Sequence, residues 1–272
     1  MEYKYQTQGD AMMGPQPTQY ESGSQPAVIP PGASQWMVRP AALEGVPPGL
    51  EYLTQLDQIL IHQQVELFEA FTGIETKNRY AIKNSLGQQC YFAYEESDLC
   101  MRLCCGNMRG FQMHIVDNTG KEVIRAYRDF RCCVGCCWCI SGETCAFIVP
   151  VESPTGVPIG RIIQLCSAWK PKYAIQNERN ETILIIQGPC CVWSGPCCPQ
   201  DVPFEIKTAD ESQTIGRLAR QYAGLAKEWF TDATNFGINF PMDLDVKAKA
   251  LLLSATFLID MMFFEKKNND NN

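Results

Sequence analysis

The residues Lys247-Ala-Lys-Ala-Leu-Leu-Leu-Ser-Ala-Thr-Phe-Leu-Ile-Asp-Met-Met-Phe-Phe-Glu265 decide how the rest of the chain is read. They form the only long apolar run in the sequence. At a rise of ~1.5 Å per residue, residues 248–264 make a helix of ~25 Å, the lower edge for crossing a bilayer. Lys247 and Lys249 precede the run, and Lys266 and Lys267 follow it, so its flanks define no orientation. Lys249, Ser254, Thr256 and Asp260 interrupt it, and a carboxylate near the middle of a span costs ~2.5–3.5 kcal/mol. The other reading is a helix apolar on every side and buried inside a folded domain. Hydropathy does not separate the two, because both need the same composition.

The preceding chain favours burial. Short alternating or β-branched segments occur at 65–71, 79–83, 89–94, 111–116 and 122–127, then at 145–149, 160–164, 173–176, 182–186 and 204–207. Between them lie turn signals such as Asn84-Ser-Leu-Gly87, Asp117-Asn-Thr-Gly120, Ser153-Pro-Thr-Gly156 and Asn177-Glu-Arg-Asn180. About ten strands in hairpin succession predict a mainly β, antiparallel chain. A closed sheet of roughly ten to twelve strands has an interior too wide for side chains alone, and an all-apolar helix fills it. The pair Tyr80-Ala-Ile-Lys-Asn84 and Tyr173-Ala-Ile-Gln-Asn177 hints at two related halves. Helical spacing of Leu53, Leu56, Ile59 and Leu60 predicts a short helix leading in. Ile215, Leu218, Tyr222, Leu225 and Trp229 predict an amphipathic helix from Ser212 to near Phe230.

Residues 1–46 are rich in Gln, Pro, Ser and Gly without apolar periodicity and read as a disordered tail, a docking segment for proline-recognising proteins or simply a solvated one. The folded domain is expected over 47–265, with a polar tail at 266–272. The N-terminus lacks the apolar core of a secretory signal, so the expected compartment is the cytosol, where disulfides are disfavoured. A formal charge of −7 argues against nucleic acid as a partner and against membrane binding by bulk positive charge. No nucleophile with a base and no phosphate-binding loop is legible; His62 and His114 read as core or surface residues, and the chain as a non-enzyme.

Two segments carry candidate chemistry. Residues 232–243 have the length of an EF-hand loop, with Asp232, Thr234 and Asp243 at positions one, three and twelve and Gly237 at six. Phe236, Ile238 and Phe240 offer backbone carbonyls only, so binding is expected to be weak, toward ~10⁻⁴–10⁻³ M. The same three residues alternate like a buried strand, the competing reading. The fifteen cysteines cluster in vicinal pairs, which bridge each other only with strain. Cys133 and Cys136 have half of a zinc spacing, with Cys190, Cys191, Cys197 and Cys198 as the other half. Apolar, cysteine-dense loops also suit S-acylation, in which each chain adds ~0.8 kcal/mol per buried methylene. Structural burial is the third reading.

Several long motifs resemble the phospholipid scramblase family: Val46-Pro-Pro-Gly-Leu-Glu-Tyr-Leu53, Ile82-Lys-Asn-Ser-Leu-Gly-Gln88, Gly156-Val-Pro-Ile-Gly160, Asp201-Val-Pro-Phe-Glu-Ile-Lys207, Phe236-Gly-Ile-Asn-Phe-Pro-Met-Asp-Leu-Asp-Val-Lys247 and Phe257-Leu-Ile-Asp-Met-Met-Phe-Phe-Glu265. The resemblance covers about residues 46–265. It implies a tubby-like fold: a closed antiparallel barrel of twelve strands around a hydrophobic C-terminal helix carrying Lys247, Leu251, Phe257, Asp260 and Phe264. It implies calcium-triggered, ATP-independent, bidirectional movement of phospholipids between leaflets. The family's calcium segment falls on Asp232, Thr234, Phe236, Ile238, Phe240 and Asp243, with Thr234 where the family has an acidic residue. Its palmitoylated cluster falls on Cys132, Cys133, Cys136, Cys137 and Cys139. Expected partners are phospholipids and the membrane through acyl chains, with self-association to an oligomer, at the cytoplasmic face of the plasma membrane. The family's nuclear-import segment falls on residues 216–224, where only Arg217 and Arg220 keep the charge.

Overall fold

Buried residues recur at alternate positions along strands such as Gln89–Glu96, Glu122–Arg128 and Val202–Thr208, which gives the sheet one face toward a core. The computed structural model describes residues 35–64, 78–105, 108–130, 146–167, 169–190, 202–221 and 235–264. In chain order the strands are β1 (Gln58–Gln63), β2 (Arg79–Lys83), β3 (Gln89–Glu96), β4 (Phe111–Val116), β5 (Glu122–Arg128) and β6 (Ile148–Glu152). They continue with β7 (Pro158–Gln164), β8 (Lys172–Asn177), β9 (Thr182–Gln187), β10 (Val202–Thr208), β11 (Thr214–Gln221) and β12 (Asn235–Asn239). Each pairs antiparallel with its sequence neighbours, and β12 closes on β1, with Phe236 opposite Ile61 and Ile238 opposite Ile59. Closure leaves no exposed sheet edge.

The interior is apolar. Ile59, Ile61, Tyr80, Met113, Ile162, Ile175 and Ile206 face a helix, α2 (Val246–Ile259), whose residues 248–259 are all buried. Charged and polar side chains such as Arg161, Gln176, Glu205 and Arg217 lie on the strands between the buried positions; Arg161 Nε donates to Gln176 Oε1 at 2.7 Å. A membrane-spanning barrel has the reverse pattern, apolar outside and polar within. The expected barrel around a C-terminal helix is therefore the observed architecture.

Three expectations change. Leu53 and Leu56 belong to a 3₁₀ helix at Glu51–Gln55 and its C-cap, while Ile59 and Leu60 lie on β1. The amphipathic helix starting at Ser212 is replaced by β11, because Leu218 and Arg220 pair with Phe204 and Val202 across a hairpin with β10. Its continuation beyond Gln221, and the strand expected at 65–71, lie outside the described residues. The described chain also starts before the expected boundary at 46: the Met37 amide donates to the Gln89 carbonyl at 2.8 Å, and Arg39 bridges Glu51 and Asp117, each at 3.2 Å.

The repeated Asn motif marks a turn design. Asn84 Oδ1 accepts from the amides of Leu86 and Gln88; Asn177 Oδ1 accepts from those of Arg179 and Glu181; Asp117 Oδ1 does the same for Thr119 and Lys121. Each side chain satisfies donors that the four-residue loop leaves open. Gly87 and Gly120 adopt φ of +77° two positions before the strand resumes, a conformation that favours glycine.

Above β4, His114 is held between Glu122 (Nδ1 to Oε1, 2.7 Å) and Glu96 (Nε2 to Oε2, 3.1 Å) and stacks on Tyr94. Burial pushes the Glu122 carboxyl up, but hydrogen bonds from Arg125, His114 and Thr155 outweigh it and hold its pKa at about 2, against an ordinary 4.5. A depressed carboxylate pKa contributes stability that is full above the unfolded value and disappears as pH falls through the folded one. Urea denaturation should therefore show stability falling from pH 4.5 toward pH 2, and Glu122→Gln should flatten that limb while lowering stability at neutral pH.

Candidate functional site

The C-terminal helix is the element on which the sequence argument turned, and it is fixed in the barrel at both ends. Asp245 caps its N-terminus, accepting from the Ala248 amide at 3.0 Å. Lys249, fully buried, donates to the carbonyls of Leu53 (3.0 Å), Leu56 (2.7 Å) and Met242 (2.7 Å), and its ammonium lies 5.2 Å from the Phe240 ring centre. An ammonium has three donors, and three acceptors meet it, so the buried cation is satisfied. Burial lowers the Lys249 pKa, while Asp57, Asp243 and Asp245 act in the opposite direction. Ser254 and Thr256 return their hydroxyls to the carbonyls of Ala250 and Leu252, at 2.9 and 3.0 Å. At the far end a π-helical turn, Asp260–Phe264, continues the helix, and Tyr80 donates to Asp260 Oδ2 at 2.7 Å. All four polar residues that weakened a membrane span are thus provided for inside the barrel. Among the described residues, no helix is long and apolar enough to cross a membrane.

The other expected helix residues fall as follows. Leu251 and Phe257 are buried, Phe257 against the Tyr80 ring at 5.0 Å. Phe264 packs on Phe236, with Arg220 5.0 Å above its ring. Lys247 is half-buried and pairs with Glu178. Arg217, from the segment matched to nuclear import, stands exposed on β11.

The calcium segment is not a loop where it is described. Phe236 and Ile238 lie on β12 and Phe240 directly follows it; all three side chains are buried in the core, which is the competing strand reading. A strand spreads positions 236 to 240 over ~13 Å, whereas calcium ligands lie about 2.3–2.6 Å from one ion. These three positions therefore do not converge on a cation. Asp243 is exposed in the turn that leads to α2, and Asp232 and Thr234 lie outside the described residues. No cluster of three or more His, Cys, Asp or Glu side chains able to hold a metal occurs among the described residues.

Strand direction sorts the connections between two ends of the barrel. One end carries the short turns 84–88, 117–121, 153–157, 178–181, 209–213 and 240–245. The other carries the longer connections 64–78, 97–110, 129–147, 165–171, 188–201 and 222–234. Every cysteine except Cys90 falls in the second set, although Cys132, Cys133, Cys136, Cys137 and Cys139 lie outside the described residues. So do Cys191, Cys197 and Cys198, and with them the zinc pairing. Sequence reading found the pairs but not their common end, because only the closed topology assigns a loop to one side. A helix, α1 (Leu99–Cys105), lies at this end with Cys100 and Cys104 exposed and their sulfurs 4.0 Å apart. Beside it, a cavity of about 490 Å³ is lined by Phe111, Tyr127, Arg128 and Phe130 with Glu96, Asp98 and Asp129. Arg109, one residue before the lining Gly110, makes paired hydrogen bonds to buried Glu95, at 2.9 and 3.1 Å. Beneath Arg128 lie the rings of Phe111 and Phe147.

A polar-faced closed barrel that sheathes its own C-terminal helix defines a class of helix-filled antiparallel barrels. Within that class the chain belongs to the scramblase family, whose model, described as Scramblase, matches residues 37–266. Phospholipid scramblase 1 of Homo sapiens is 53% identical over 230 residues, covering 85% of this chain and 70% of that protein. Phospholipid scramblase 1 of Rattus norvegicus is 50% identical over 240 residues, covering 88% and 69%. Phospholipid scramblase 2 of Bos taurus is 50% identical over 244 residues, covering 89% and 80%. No solved structure matches the chain.

Lys249→Met keeps much of the side-chain volume but strands two buried carbonyls and a part-buried third. It should lower unfolding free energy by about 3 kcal/mol in urea titration. Lys247→Met, at a half-exposed pair, should cost less than about 1 kcal/mol.

Proposed function

We propose that this chain scrambles phospholipids, moving them in both directions between leaflets without ATP and under calcium control. The observation that carries the reading is the family match over residues 37–266, which takes in the barrel and its helix together, with close relatives named phospholipid scramblases. The role is one of lipid transport rather than chemical catalysis.

The geometry constrains how such transport proceeds. Apolar side chains and α2 fill the barrel, so a head group does not pass through it. Lipid transfer on this reading happens at the outer surface, where the protein distorts the bilayer or several copies assemble. Attachment is through acyl chains on Cys132, Cys133, Cys136, Cys137 and Cys139, which place the protein on the cytoplasmic face of the plasma membrane. Residues 1–34 offer proline-rich contacts to protein partners. Support for calcium control comes from the resemblance of residues 232–243 alone. With Asn235–Asn239 in a strand, Asp232 and Asp243 belong to connections at opposite ends of the barrel, so an ion met by one of these carboxylates is not shared with the other.

A second reading, a lipid-anchored adaptor that binds membranes or proteins without moving lipid, is favoured by the filled barrel. Purified full-length protein in vesicles carrying a fluorescent head-group-labelled lipid separates the two. Without ATP, calcium should let an impermeant reductant bleach the inner-leaflet label as well as the outer. Bleaching that stops at the outer leaflet with and without calcium sinks the scramblase reading and leaves the adaptor.

A further inference from the structure

Helix α1 is short, and four of its seven residues carry sulfur: Leu99-Cys-Met-Arg-Leu-Cys-Cys105. Asp98 fixes its start, its carboxylate accepting from the Met101 amide at 3.1 Å and its carbonyl from the Arg102 amide at 3.0 Å. The helical turn then brings side chains four residues apart together on one face. Two sulfur pairs result: Cys100 with Cys104, sulfurs 4.0 Å apart, and Met101 with Cys105, sulfurs 3.9 Å apart. The second pair is partly buried, where a thioether and a thiol pack as ordinary apolar groups. The first pair is exposed, so packing in a core does not account for it.

What the exposed pair can hold follows from its geometry. A disulfide needs Cβ atoms ~3.8 Å apart, whereas Cβ atoms one helical turn apart lie ~5–6 Å from each other. Oxidation would therefore break the helix that assembles the pair. A metal ion between the sulfurs needs no such movement. With metal–sulfur bonds of ~2.3 Å, sulfurs 4.0 Å apart subtend roughly 120° at a shared ion. Neighbouring thiolates repel each other, and a cation between them removes that repulsion. Structural zinc takes four protein ligands, and no group of three or more His, Cys, Asp or Glu able to hold a metal occurs among the described residues. Copper(I) is a softer ion that thiolates select, and two or three sulfur ligands complete its coordination. Two protein thiolates leave it one open position, which a small thiol such as glutathione fills.

We infer that Cys100 and Cys104 form a surface copper(I) site, which takes its ion by ligand exchange from copper complexes of small thiols. In that exchange two sulfur–hydrogen bonds break and two copper–sulfur bonds form. The protons pass to solvent, and copper stays monovalent throughout. The site needs neither lipid movement nor acylation, only thiols kept reduced, as on the cytoplasmic face proposed above.

The test is anaerobic copper(I) titration of full-length, non-acylated protein in glutathione, with bathocuproine disulfonate as the coloured competitor. Other cysteines of the chain also offer thiols, so the reading is a difference between variants. The double variant Cys100→Ser, Cys104→Ser should retain one copper fewer per chain than the unaltered protein. A control double, Cys166→Ser, Cys190→Ser, removes exposed thiols outside α1 and should match the unaltered protein. Peptide-resolved maleimide labelling gives a second reading on the unaltered protein, which decides the matter if the first double fails to fold. Copper(I) should protect Cys100 and Cys104 before Cys166 and Cys190, and the same amount of zinc should leave all four reactive. Equal copper retention by the unaltered protein and the α1 double would overturn the site. So would unchanged labelling of Cys100 and Cys104 in the copper-loaded protein, or equal protection by zinc. Copper retention without bleaching of inner-leaflet lipid would support the site and refute only the scramblase reading.

Discussion

A closed sheet of twelve strands and an apolar helix need each other. The strands turn Ile59, Ile61, Ile162, Ile175 and Ile206 into an interior that they do not fill alone, and the helix has apolar side chains all round that water would penalise. Each of Leu251, Leu252, Leu253, Phe257 and Leu258, fully enclosed, contributes about 1.5–3 kcal/mol relative to exposure. That enclosure dictates the rest. Glycine at 160 is required because a Cβ there would lie 2.1 Å from the Gln176 carbonyl oxygen and 2.9 Å from Leu251. The buried Lys249 is tolerated only because the 3₁₀ helix before β1 directs two carbonyls at it and the turn after β12 directs a third.

Much of this architecture was legible in the residues. Alternation located β2 and β4 to the residue and most other strands within a few positions, because side-chain period two is a direct consequence of one buried face. The helix boundaries also followed from hydropathy, and the choice between burial and a membrane span came from the β-rich chain before it. The misses share a cause. Ile59 on β1 and Leu218 on β11 occupy positions that fit both a helical and a strand spacing, and only pairing across the barrel seam decides between them. Gly216 is part of that decision: a Cβ would sit 2.2 Å from the Asn239 carbonyl oxygen, a constraint invisible without the neighbouring strand.

The site was less legible than the fold. Residues 232–243 satisfied a loop spacing in part and a strand spacing in part, and Phe236, Ile238 and Phe240 obeyed the second because the seam needs a last strand to close against β1. The cysteine pairs were plain in the sequence, but their gathering at one end depends on strand direction, which requires the whole topology. Family membership places the chain among scramblases, while the filled interior moves the question of lipid movement from the barrel's inside to its outer surface and its ends.

The helix follows all twelve strands in the chain, and Lys249 finds two of its acceptors at Leu53 and Leu56, before the first of them. During synthesis from the N-terminus, therefore, each hairpin emerges before the core it is meant to surround. Until residues 246–264 arrive the strands form a shell with uncovered apolar lining, the kind of intermediate that attracts chaperones and tends to aggregate. The final step, threading a plug into a sheet that closes around it, joins the two extremes of the domain and makes completion of the fold wait for the domain's last element. A chain cut short before Val246 would thus be expected to lose the whole barrel rather than one helix.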